Sequence, residues 1–127
     1  MERWLSRYSG TIYAVMRFIL GAAFACHGAQ KLLGAFGAQP TDKPLMQLAG
    51  AIELVGGLLI AVGFQAGTAA FLASGLMATA YFMAHAPGGF WPIVNKGELA
   101  VVYCFVFLFV ASRGSGALSV DAALKKS

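Results

Sequence analysis

Glu53 is the only ionisable residue in the run LMQLAGAIELVGGLLIAV, residues 45–62. A carboxylate in so apolar a stretch costs about 3 kcal/mol unless it is protonated, paired or turned toward a cavity, and by default it marks a functional site. A few other residues in apolar surroundings could take part in chemistry. His27 and Lys31 stand at i and i+4 and share a helix face. His85, Asn95, Lys96 and Glu98 follow further along. Carboxylates and imidazoles move protons near ambient pH. The ammonium and amide groups donate hydrogen bonds. A purely structural reading competes with this one. Arg17 is the first candidate to pair with Glu53, and Lys31 the second. In either case the charges would fix the helices and do no chemistry. His27 and His85 also serve as plain donors at a membrane boundary. Two histidines are too few to argue for bis-His haem ligation.

The elements that must position these groups follow from composition. The chain has 127 residues, 59% of them hydrophobic and only 11% charged. Soluble domains average roughly 25% charged. Mean hydropathy is +0.74. These values identify an integral membrane protein in one domain, residues 1–127. The net charge of +4 includes no basic run of the kind that binds nucleic acid. No flavin, haem or metal-ligand motif is visible. Cys26 and Cys104 lie in apolar segments and read as small buried hydrophobes; a disulfide between them would need facing Cβ atoms. Arg17 interrupts what would otherwise resemble a cleaved signal segment, so the first apolar stretch is expected to be a span.

Four spans are expected, at about 11–33, 45–62, 66–86 and 93–112, the last starting at Ile93 or at Glu98. The fold class is therefore all-α. Short connections predict an up-down antiparallel four-helix bundle. The uninterrupted apolar part of the last span is only residues 99–111, so Asn95 to Glu98 must supply the missing length. Arg3, Arg7, Arg113, Lys125 and Lys126 flank the termini, against Lys43 and Lys96 in the other two loops. By the positive-inside rule both termini are cytoplasmic. That places His27, Lys31, Glu53, His85, Asn95, Lys96 and Glu98 in the outer half, drawn from four helices. Arg17 alone lies near the inner end. The seam Arg17, Gly21, Phe24, Gly28, Lys31 turns Arg17 and Lys31 to the interior, and Gly50 and Gly57 share the face of Glu53. Small residues at such spacing allow close helix approach.

Several stretches, taken in order, resemble the DoxX family of small four-span membrane proteins. They are Arg17-Phe18-Ile19-Leu20-Gly21, His27-Gly28-Ala29-Gln30-Lys31, Glu53-Leu54-Val55-Gly56-Gly57, His85 to Trp91, Asn95-Lys96-Gly97-Glu98-Leu99-Ala100, and Arg113-Gly114. The resemblance implies redox chemistry at the plasma membrane. Similar proteins include the membrane subunit of a thiosulfate:quinone oxidoreductase, the membrane anchor of a superoxide dismutase–sulfurtransferase assembly, and members tied to quinone or thiol stress. On that reading a quinone is the candidate cofactor. His27, Lys31, Asn95 and Lys96 would donate to its oxygens, while Glu53, His85 and Glu98 would relay protons. Electrons would come from a partner membrane or membrane-associated redox subunit, or from the substrate. A non-catalytic accessory or anchor subunit of a larger membrane complex is the second expectation, and a small transporter the third. A homo-oligomer is compatible with each.

Overall fold

A computed structural model describes residues 1–126, with side chains as far as Lys125. The side chain of Lys126, one of the basic flanking residues, lies outside the described residues. The chain forms α1 (Glu2–Ser6), α2 (Ser9–Leu33), α3 (Pro44–Val62), α4 (Ala66–Ala80), α5 (Pro92–Asn95), α6 (Glu98–Arg113) and α7 (Val120–Lys126). α4 runs on through a π-helical turn, Tyr81–His85, and a 3₁₀ turn, Ala86–Gly88. Pro44 opens α3, where its missing N–H is no loss. Gly34 and Gly63 end α2 and α3 in the left-handed conformation. The described residues include no strand.

Three helices, Ser9–Leu33, Pro44–Val62 and Ala66–Gly88, are long and apolar enough to cross a membrane. Their outward faces carry large apolar side chains such as Phe18, Ile19, Val55, Leu58 and Phe71, all exposed. In the interior, Ala66, Ala69, Ala70 and Ala73 of α4 cluster with Phe107 and Val110 of α6. Soluble monomers do not expose apolar surface on this scale, and a lipid surround accounts for it. Phe24 reaches across from α2 to join Tyr103 and Phe107, with ring centroids 4.8–5.3 Å apart.

The last expected span takes the later of its two starts, Glu98. Residues 93–112 do not form one helix: α5 stops at Asn95, and Lys96 is left-handed with φ 63°. The Asn95 side chain accepts the Gly97 N–H at 2.8 Å, a local turn that competes with helix for the same donor. α6 then has 16 residues, about 24 Å at 1.5 Å per residue. The cysteines also remain apart: both are free, Cys26 exposed and Cys104 half-buried.

α2 and α3 meet backbone to backbone at their glycines. A methyl group at Gly57 would lie 2.5 Å from the Ala25 nitrogen, and one at Gly21 2.6 Å from the Ala61 nitrogen. At Gly28 it would be driven into the Leu54 nitrogen. Backbone cannot step aside as a side chain does. Gly28→Ala and Gly57→Ala are therefore expected to destabilise by about 1–3 kcal/mol. At Gly56 an added methyl meets nothing within 4 Å, so Gly56→Ala should leave stability unchanged or raise it. Unfolding in mixed micelles measures the contrast; equal effects at the three positions would show that these contacts do not hold the pair.

That crossing sets the helix register. Gly28 abuts Gly50 and Leu54, and Gly21 abuts Gly57 and Ala61, so Glu53 lies level with the His27 turn. Arg17 lies level with Gly63, ten residues further along α3 and about 15 Å away. The expected Arg17–Glu53 pair is thus not formed. Arg17 is buried and donates to four main-chain carbonyls: Ile60 at 2.9 Å, Ser115 at 2.7 Å, Ala117 at 3.4 Å and Leu118 at 3.0 Å. Ile60 belongs to the last turn of α3, where the helix dipole is negative. Residues 114–121 fold back beneath the helices to supply the other three acceptors. Asp121 helps hold them there, accepting from the Gln65 N–H at 2.9 Å and the Ser115 hydroxyl at 2.6 Å.

Candidate functional site

At the other end of the molecule a cavity of about 410 Å³ opens among α2, α3, α4 and α6. His27, Lys31, Glu53, His85 and Lys96 all line it. Five of the seven residues singled out in the sequence therefore meet in one space. Each arrives by a local device. His27 and Lys31 stand one turn apart on α2, His27 against Tyr103 of α6 and Lys31 against Glu53 of α3. Glu53 sits on the buried face of α3 between Gly50 and Gly57. The π-helical turn inserts an extra residue before His85, a distortion common at functional sites. Lys96 projects from the left-handed break between α5 and α6.

Glu53 is 2% exposed, and its Oε1 accepts from the Lys31 ammonium at 2.5 Å. This is the second of the two pairings considered. Lys31 itself is 29% exposed and so links the buried carboxylate to the more open part of the site. Oε2 of Glu53 is buried with no hydrogen-bond partner among the described residues. Buried polar atoms are rarely left this way, and each exception calls for a reason. His85 has its Nδ1 3.3 Å from the Asn95 carbonyl. A carbonyl only accepts, so this contact calls for the proton on Nδ1 and leaves Nε2 without a partner among the described residues.

The structure places the other two residues differently. Asn95 does not line the cavity. Its amide donates to the Tyr81 hydroxyl at 3.1 Å and the Gly89 carbonyl at 2.9 Å, and its oxygen takes the Gly97 N–H. Both donors are used in building the loop between α4 and α6, so none is left for the donation expected of Asn95. Glu98 is exposed in the first turn of α6, where an acidic residue offsets the helix dipole. It too is absent from the cavity lining.

Tyr103 was not picked out from the sequence. It lines the cavity beside His27, ring centroids 6.2 Å apart. Neither its hydroxyl nor the His27 ring has a hydrogen-bond partner among the described residues. A phenol amid the apolar residues of α6 was the available signal, and it passed as one more aromatic. The remaining walls are apolar apart from Thr79, whose hydroxyl donates to the Gly75 carbonyl at 2.9 Å. One buried carboxylate faces two ammonium groups and two imidazoles across this space. Convergent, underused polar groups in an otherwise apolar cavity describe a small-molecule site, and its volume lies in the usual range of roughly 300–1,000 Å³.

Comparison with known proteins agrees with the sequence motifs. The DoxX family model matches residues 12–86. A protein of Haemophilus influenzae described as uncharacterized is 37% identical, over 92% of this chain and 93% of its own. No solved structure matches. The matched segment contains the α2–α3 glycine crossing, the Lys31–Glu53 pair and His85, and the chain belongs to the DoxX family.

Proposed function

We propose that this protein is a quinone-linked redox subunit of the plasma membrane, spanning it four times with both termini cytoplasmic. The observation that carries the reading is the cavity, which His27, Tyr103, Lys31 and Lys96 line with hydrogen-bonding capacity that no other described residue takes up in full. A quinone is an apolar ring with two carbonyl acceptors, and it fits donors set in apolar walls. Lys31, Lys96, His27 and Tyr103 supply the donors. Reduction to the quinol adds two electrons and two protons. Glu53, held by Lys31, and His85 through its free Nε2 are the groups that would bring those two protons in from the outer face. The electrons come from a partner redox protein, for which this chain provides the membrane seat.

The test is binding. The purified protein in lipid nanodiscs is titrated with a decyl-tailed, fully substituted benzoquinone. Saturable binding near one per chain is expected. His27→Phe, which keeps the ring contact with Tyr103 and removes the donor, is expected to weaken it by about tenfold, as loss of roughly 1.4 kcal/mol would. Absence of saturable binding sinks the reading. Co-purification with larger subunits at fixed stoichiometry, with no quinone bound, would favour an accessory anchor instead.

A further inference from the structure

The cavity has an apolar flank that the head-group chemistry does not explain. On α3 it is walled by Leu45, Leu48 and Ile52, and on α4 by Leu76, Ala80 and Met83. Each set lies on one helix face, so two aliphatic stripes look at each other across the cavity. Leu45, Leu48 and Met83 are each 59% exposed although they line it. The outer halves of α3 and α4 therefore leave a cleft that opens on the lipid-facing side. At their inner ends the two helices are joined by only Gly63-Phe64-Gln65. The cleft runs without interruption into the region of Lys31 and Glu53.

We infer that the ligand enters sideways from the bilayer, between the outer halves of α3 and α4, and that its single apolar tail stays in that cleft. The inference rests on the quinone reading and adds to it a route and a tail. A head group arriving from water would need only the polar mouth at His85 and Lys96, and two aliphatic stripes would have no use. Moving a tail from lipid into an aliphatic cleft exchanges one apolar surround for another, with little net gain. The tail therefore sets the path, and the polar groups set the affinity.

The experiment uses the full chain in nanodiscs and two ligands. One is a fully substituted benzoquinone with a photoactivatable alkyl tail; the other is the same ring without a tail. Photolabelling is expected on residues 45–52 and 76–83. Ala80→Trp, which narrows the cleft, is expected to weaken the tailed quinone at least about tenfold while the tail-less ring binds as before. Labels on the outer faces of α2 or α6, or equal weakening of both ligands, would overturn the lateral route and leave the head-group site standing. If neither ligand binds the unaltered protein, the quinone reading fails and the route with it. Should Ala80→Trp fail to fold, the labelling map of the unaltered protein decides the matter alone.

Discussion

Lys31→Met is expected to cost about 3–5 kcal/mol of stability, the usual result of stripping one partner from a buried ion pair. Glu53 is sealed, with one oxygen on Lys31 and the other on nothing among the described residues. Without the ammonium the carboxylate has no compensation and must take up a proton or move. Glu53→Gln should be milder, because Lys31 is partly exposed and reaches the open part of the cavity, and because a glutamine carbonyl still accepts from it. The double variant Lys31→Met, Glu53→Gln removes both charges and should recover most of the loss. Function should separate from stability. Glu53→Gln is expected to fold and to bind quinone, yet to lose proton-coupled turnover in the host redox pathway. Unfolding in mixed micelles and quinone turnover in membranes that retain the partner redox protein give the two readouts. A Lys31→Met protein as stable as the unaltered one would show that the pair contributes nothing. A Glu53→Gln protein with full turnover would reduce Glu53 to architecture.

The second large effect belongs to Arg17. Its three shortest hydrogen bonds, to Ile60, Ser115 and Leu118, close residues 114–121 under the helices. Hydrogen bonds involving a charged partner contribute about 1.5–3 kcal/mol each. They share one side chain and do not add fully. Arg17→Gln is expected to cost about 3–6 kcal/mol and to free the C-terminal segment. Arg17→Lys should rescue little, since an ammonium lacks the planar fork that spans several carbonyls. Limited proteolysis checks the outcome: cleavage after Arg113 should become fast in Arg17→Gln. Quinone binding should persist wherever the variant folds, because the cavity is about 15 Å from this end. Unchanged protection of the segment would show that Arg17 does not hold residues 114–121, and loss of quinone binding from a folded variant would reconnect Arg17 to the site.

These two residues also show how far the sequence could be read. A lone carboxylate in an apolar run and a lone arginine in another suggested a pair, and Arg17 does face the interior as its seam required. What could not be read was depth. The α2–α3 register depends on which glycines interlock, and that moves Glu53 to Lys31 and leaves Arg17 at the opposite end. Nor does any sequence signal show residues 114–121 turning back to offer carbonyls, since backbone acceptors are the same at every residue. Asn95 illustrates the converse limit. Its type suits head-group donation and loop building equally well, and only its contacts with Tyr81, Gly89 and Gly97 choose the second.

Composition alone determined the solvent of this protein. Apolar runs of about 20 residues with few charges can be stable only in lipid, where every backbone group must bond within its own helix. The same physics makes each intramembrane charge conspicuous, which is why five of the residues that line the cavity were legible. The tertiary structure decided which of them meet. Close packing at the glycines sets the register, the Asn95 turn breaks the last span at Lys96, and the π-helical turn resets His85. Each is a contact between distant or competing groups, and hydrophobic periodicity carries no information about such contacts. They turn scattered polar residues into one cavity with a buried carboxylate at its wall.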